Sequence, residues 1–191
     1  MRYFYIIIIN LLVLTVIGAA KPDQSELQSI SMTDGISNYG REFFLTVPPS
    51  YQDESSSDTN KVVLYIGSEY YSSVKITIPG KNNYYKAVDI NPGQMTEVSI
   101  DPSIAQPYVK KDYQPPKKNQ VFKQAGIHVK SEAPVFVYVV AKNNISTEGY
   151  LAIPKSSLGR KYIISSYGDG SQEYSLVTSF PSMTGIVANY D

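Results

Sequence analysis

The chain has 191 residues, with 17 basic and 17 acidic side chains, a formal net charge of zero, one histidine, no cysteine and no tryptophan. That balance excludes the concentrated basic surface that nucleic acid demands, and the missing thiols exclude a disulfide framework, a cysteine nucleophile and any thiolate metal site. Tyrosine, at 17 residues against 6 phenylalanines, is the outlying count; it suits strands, where the ring packs and the hydroxyl stays wet.

Residues 1–20, MRYFYIIIINLLVLTVIGAA, have the build of a secretory leader. Arg2 supplies the positive start, Ile6 to Ile17 an apolar run broken only by Asn10 and Thr15, and Gly18-Ala19-Ala20 the small residues before a cut between Ala20 and Lys21. The run is shorter than the ~20 apolar residues of a spanning helix, and no second run of that length follows. The expected product is a secreted, extracellular chain with no transmembrane anchor after cleavage. It keeps 171 residues, with 16 basic and 17 acidic side chains for a net charge of −1. That length suits one domain burying about 70% of its unfolded surface.

Residues 21–39 are polar and aperiodic, a lead-in to a β domain over 40–191. Glu42 to Val47 is a strand stopped by Pro48-Pro49, and Tyr51 to Asn60 is an acidic loop. Lys61 to Gly67 puts Val62, Leu64 and Ile66 on one face, and Ser73 to Pro79 alternates with Val74, Ile76 and Ile78 on one side. Tyr84 to Ile90 runs into the turn Asn91-Pro92-Gly93, and Thr96 to Ile100 follows. Gln120 to Lys130 holds the alternating Ile127-His128-Val129. Pro134 to Ala141 is continuously apolar, the pattern of a central strand covered on both faces. Tyr150 to Ile153, Tyr162 to Ser166 and Thr184 to Ala188 complete the strands. No segment keeps a helical period over a dozen residues, so the predicted fold is all-β, an antiparallel sandwich or barrel-like domain. The last strand has an unpaired edge that invites pairing with a further chain or domain, which is expected if the chain is a fragment truncated at its C-terminus.

The stretch YLAIPKSSLGRKY, Tyr150 to Tyr162, resembles a nucleophile loop in composition. A serine nucleophile needs a base beside it. The single histidine, His128, lies in a strand pattern, the Gly-x-Ser-x-Gly elbow is missing, and Lys155 precedes the serines where a Ser-x-x-Lys pair needs it after them. The stretch instead reads as a corner: a strand stopped by Pro154, a crossing over Lys155-Ser156-Ser157, and Gly159 freeing the backbone for re-entry at Tyr162. This reading makes the protein a non-enzyme with no cofactor.

From Gly126 to Tyr167 the residues carry a family likeness. Gly-Ile-His-Val-Lys-Ser at 126–131, the apolar strand after Pro134, Ser146 to Pro154 and Leu158-Gly159-Arg160-Lys161-Tyr162 resemble the N-terminal domain of the IgGFc-binding protein. Gly40-Arg41-Glu42-Phe43-Phe44 fits that family's opening strand and Val74 to Pro79 its early hairpin, which extends the likeness over about 40–191. Glu148 stands where the pattern leads one to expect aspartate. The resemblance implies a secreted or surface-displayed module for adhesion or glycoprotein binding, with Gly149, Tyr150, Pro154, Leu158, Gly159 and Tyr162 as structural motif residues. The alternatives are a structural segment of a larger secreted protein and a carbohydrate-binding accessory module of a hydrolase.

Three further segments bear on partners. Lys110, Lys111, Lys117 and Lys118 stand in a proline-containing loop; a sulfated or sialylated glycan would suit them, but with no arginine in the loop and Asp112 interrupting the run, a solvated loop explains the lysines better. Asp53, Glu54 and Asp58 lack the alternating ladder and glycine of a calcium loop, so no metal is expected. Asn144-Ile145-Ser146 is an acceptor sequon for N-glycosylation in an inter-strand loop.

Overall fold

The computed structural model describes residues 37–49, 60–108, 120–142, 147–165 and 184–188. Among these residues seven antiparallel strands make the fold: β1 (Gly40–Leu45), β2 (Lys61–Gly67), β3 (Ser72–Ile78), β4 (Tyr84–Ile90), β5 (Met95–Ile100), β6 (Ile127–Lys142) and β7 (Thr147–Leu151). A single helical turn, α1 (Pro102–Ala105), follows β5, and its Asp101 cap accepts a bond from Ser103 N at 2.8 Å. All-β is the class the sequence predicts.

The organising element is β6, 16 residues long. Its first half lies between β1 and β3, pairing Phe43 with Val129 and Ile76 with Val129. Its second half lies between β2 and β7, pairing Leu64 with Val139 and Tyr150 with Val139. Adding β4 beside β3 and β5 beside β2 gives a first sheet ordered β4-β3-β6-β1 and a second ordered β5-β2-β6-β7. One strand therefore turns the corner between two sheets, the device that makes orthogonal and barrel-like β folds.

The sequence reading splits β6 in two at Pro134; the structure joins it. Proline has no N–H to give a ladder, and it stands where the strand bends and its ladder is interrupted. Side-chain hydroxyls take over there. Ser68 Oγ donates to Pro134 O at 2.7 Å, and Ser72 Oγ accepts from Ala133 N at 3.0 Å. Both serines are buried, as unpaired backbone groups at this depth would be costly. The β1 register slips at the same place, from Glu42 opposite Lys130 to Gly40 opposite Val135.

Alternation decides what lies inside. Phe43 and Leu45, Val62, Leu64 and Ile66, Val74, Ile76 and Ile78, Val98 and Ile100, and the odd-numbered residues Val135 to Val139 of β6 form one continuous core. The turns follow their residues too. Asn91-Pro92-Gly93-Gln94 closes with Gln94 N donating to Asn91 O at 3.1 Å, and Gly93 takes φ +70, as the third residue of a type II turn must. Asn82 and Asn83, also at positive φ, close the β3–β4 hairpin.

Two expected strands are not strands. Residues 162–165 lie outside any ladder and are exposed, Ile163 fully so. Residues 184–188 are likewise unpaired; Gly185 rests against the Thr46 side chain and Val187 against Gly126. Both have strand-like composition, but β propensity is realised only against a partner strand, and among the described residues neither has one. The other strands lie within a few residues of their expected bounds.

Candidate functional site

The corner after β7 is built from the end of one sheet to the edge of the other. Ala152 N still donates to Val137 O at 2.9 Å, extending the β7 ladder by one bond. Buried Pro154 then packs on Gly40 so closely that no β-carbon fits there. Lys155–Ser157 form a 3-10 turn, with Ser157 N bonded to Pro154 O at 2.9 Å. Ser157 Oγ donates to Ser37 O at 3.1 Å, tying down the end of the lead-in. Tyr150 spans the same gap, its hydroxyl donating to Thr46 O at 2.9 Å. Desolvation of that hydroxyl pushes its pKa up to about 12, although the rest of the residue is partly exposed.

The charged side chains of the corner meet on β1. Glu42 Oε1 lies 3.0 Å from His128 Nε2, and Glu42 Oε2 lies 3.2 Å from Lys155 Nζ. The His128 ring stacks on Phe44, centroids 4.5 Å apart and 3° from parallel, and the Lys155 ammonium sits 5.6 Å from the Phe44 ring centre. Burial pushes the Glu42 carboxyl up, but the bonds from Lys155 and His128 outweigh it and hold the pKa below the ordinary 4.5. This cluster is absent from the sequence reading. Glu42 lies 86 residues before His128 and still farther from Lys155, and the β1–β6 register brings Glu42 and His128 onto one face.

Chemically, the arrangement closes a corner. The lone imidazole and the loop lysine both point at one carboxylate, while the Ser157 hydroxyl is bonded to a main-chain carbonyl. Among the described residues no group of three or more His, Cys, Asp or Glu side chains is placed to hold a metal, and no helix is long and apolar enough to cross a membrane.

The motif residues of the family likeness separate. Gly149 lies in β7 with the Tyr138 hydroxyl 3.2 Å from where its β-carbon would stand, and Tyr150 and Pro154 close the corner. Leu158, Gly159 and Tyr162 are exposed. Gly159 does not take the left-handed conformation, and nothing crowds it within 3.8 Å, so its expected turn role has no counterpart. Ala20, Lys21, Lys110, Lys111, Lys117, Lys118 and Asn144, with the acidic residues Asp53, Glu54 and Asp58, lie outside the described residues.

No model of a known protein family matches the chain, and no curated protein matches it. Among solved structures it is similar to the crystal structure of Thermotoga maritima 1070, at 13% identity over 62% of this chain and 97% of that one, with a TM-score of 0.39. A likeness that loose says nothing about function.

Proposed function

We propose that the chain is a secreted or surface-displayed, non-catalytic module for adhesion or glycoprotein binding, of the kind its resemblance to the IgGFc-binding protein N-terminal domain implies. The observation that carries the reading is how the most enzyme-like stretch of the sequence uses its polar groups. Lys155 and His128 converge on Glu42, and Ser157 bonds the backbone of the lead-in. A serine whose hydroxyl is held by a carbonyl, with the base pointing elsewhere, has no activated oxygen. The corner is thereby a joint between sheets, which leaves the outer sheet faces as the surfaces to meet a ligand.

The test is binding by the full chain to arrayed glycans and to defined glycoproteins, with sequencing of the released protein's N-terminus. Saturable binding and a mature chain starting at Lys21 are expected. Ester or glycoside hydrolysis abolished by Ser157→Ala would overturn the non-catalytic reading.

A further inference from the structure

The outward face of the first sheet sets two lysines side by side. In the β3–β6 register Lys75 stands directly opposite Lys130, and both are exposed. Like charges directly opposite on neighbouring strands repel. The acidic groups nearby do little to relieve them. Glu42 stands opposite Lys130 but is engaged by Lys155 and His128. Asp89 is opposite Ser73, one outward row away from Lys75, and Glu132 is two residues beyond Lys130. Among the described residues neither lysine lies within 4.0 Å of a carboxylate.

Hydroxyl donors border the pair. Thr77, opposite both His128 and Tyr85, occupies the next outward row, and Tyr85 is 59% exposed. Among the described residues the face thus offers two ammonium groups without a carboxylate partner, on Cβ atoms about 5 Å apart, flanked by hydroxyls and an open aromatic ring. The mature net charge of −1 gives no long-range attraction for an extended polyanion. A compact anion fits better, and the Tyr85 ring offers the C–H face of a sugar a surface to lie on.

We propose that Lys75 and Lys130 form a binding site for the acidic group of a glycan, a sulfate ester or a sialic carboxylate, with Thr77 and Tyr85 at its border. The proposal rests on the reading of the chain as a binding module and names its ligand class. It also separates binding from stability: removing either lysine relieves repulsion in the free protein and removes a charge-assisted bond from the complex.

The experiment titrates the full chain with 3′-sulfated lactose, 3′-sialyllactose and lactose, and measures thermal unfolding without ligand. Binding of one or both acidic sugars, with lactose inert, is expected. Lys75→Gln and Lys130→Gln each weaken it ~10-fold or more, while the unliganded melting temperature stays equal or rises. The sulfated and sialylated arms identify which acid is bound. Lys61→Gln, on the second sheet, leaves the affinity unchanged. Equal binding of lactose, binding untouched by either variant, or capture of an acidic peptide in place of the sugars overturns the site. Binding of a neutral glycan or a glycoprotein that both variants retain overturns the site but leaves the module reading standing; no binding by any glycan or glycoprotein overturns both.

Discussion

In the first half of β6 the residues turned away from the core are His128, Lys130 and Glu132; in the second they are Phe136, Tyr138 and Val140, with Lys142 at the strand's end donating to the Tyr65 hydroxyl at 3.0 Å. The inward residues of both halves are alike, apolar and buried apart from Ser131 at the bend. The outer layers are not. Around His128 and Lys130 the sheet is wet and charged, held by Glu42 and Lys155. Around Phe136 a thin second apolar layer forms. The Phe136 ring lies over Gly67, 2.5 Å from where a β-carbon would stand, and meets Tyr39 edge-on at 5.5 Å. Val140 and its cross-strand neighbour Val63 are buried although both point outward. A single strand can thus be one-sided along half its length and two-sided along the other half. The alternation of its sequence changes where its environment changes.

The comparison is broken most severely by a charge. Val140→Asp places an unpaired carboxylate in the buried outer layer and should cost on the order of 3–5 kcal/mol, read as a lower denaturation midpoint or as loss of folded protein. Lys130→Asp, in the other half of the same face, should change stability by about 0.5 kcal/mol or less. Equal effects would erase the distinction.

Next comes the glycine under the ring. Gly67→Val forces Phe136 from its place and should cost about 1–3 kcal/mol by overpacking. The same measurement on Gly67→Val with Phe136→Leu should recover part of it.

The two halves are joined at their edges by the corner, so its bonds sharpen the comparison at lower amplitude. Tyr150→Phe deletes the bond from β7 to Thr46 and should cost about 0.5–1.5 kcal/mol, seen as a lower melting temperature.

Of the corner's bonds, those to Glu42 should matter least: Glu42→Gln should cost about 0.2–1 kcal/mol near neutral pH, as for a largely solvated ion pair. Its sign with pH is fixed. The folded-state pKa is depressed, so the carboxylate's contribution is present above the ordinary value of 4.5 and is lost as pH falls through the lower folded value. The difference in melting temperature between wild type and Glu42→Gln should close on acidification below that value. A gap that widens there would contradict the assigned bonds.

Much of this fold was legible in local text. Ser-Val-Lys-Ile-Thr-Ile alternates because one side of β3 is core, and the run after Pro134 does not because Val140 is buried on the outside as well. Tyr138, 41% exposed, is where the two-sided expectation fails. What local text could not show was contact across long separations. Pro134 signals a boundary; that it sits mid-strand depends on Ser68 and Ser72, more than 60 residues earlier. The Glu42, His128 and Lys155 cluster needs three elements in register. For 162–165 and 184–188 the reverse holds, since composition promised strands that pairing did not supply.

The edge strand β4 carries Lys86 on its inward side, opposite the buried Ile76. An ammonium facing inward at the border of a sheet has to reach around the rim to stay hydrated. A strand added alongside would trap it. Among the described residues nothing pairs with that flank, and the lysine disfavours a further strand there: one misplaced charge works against edge-to-edge polymerisation of the copies.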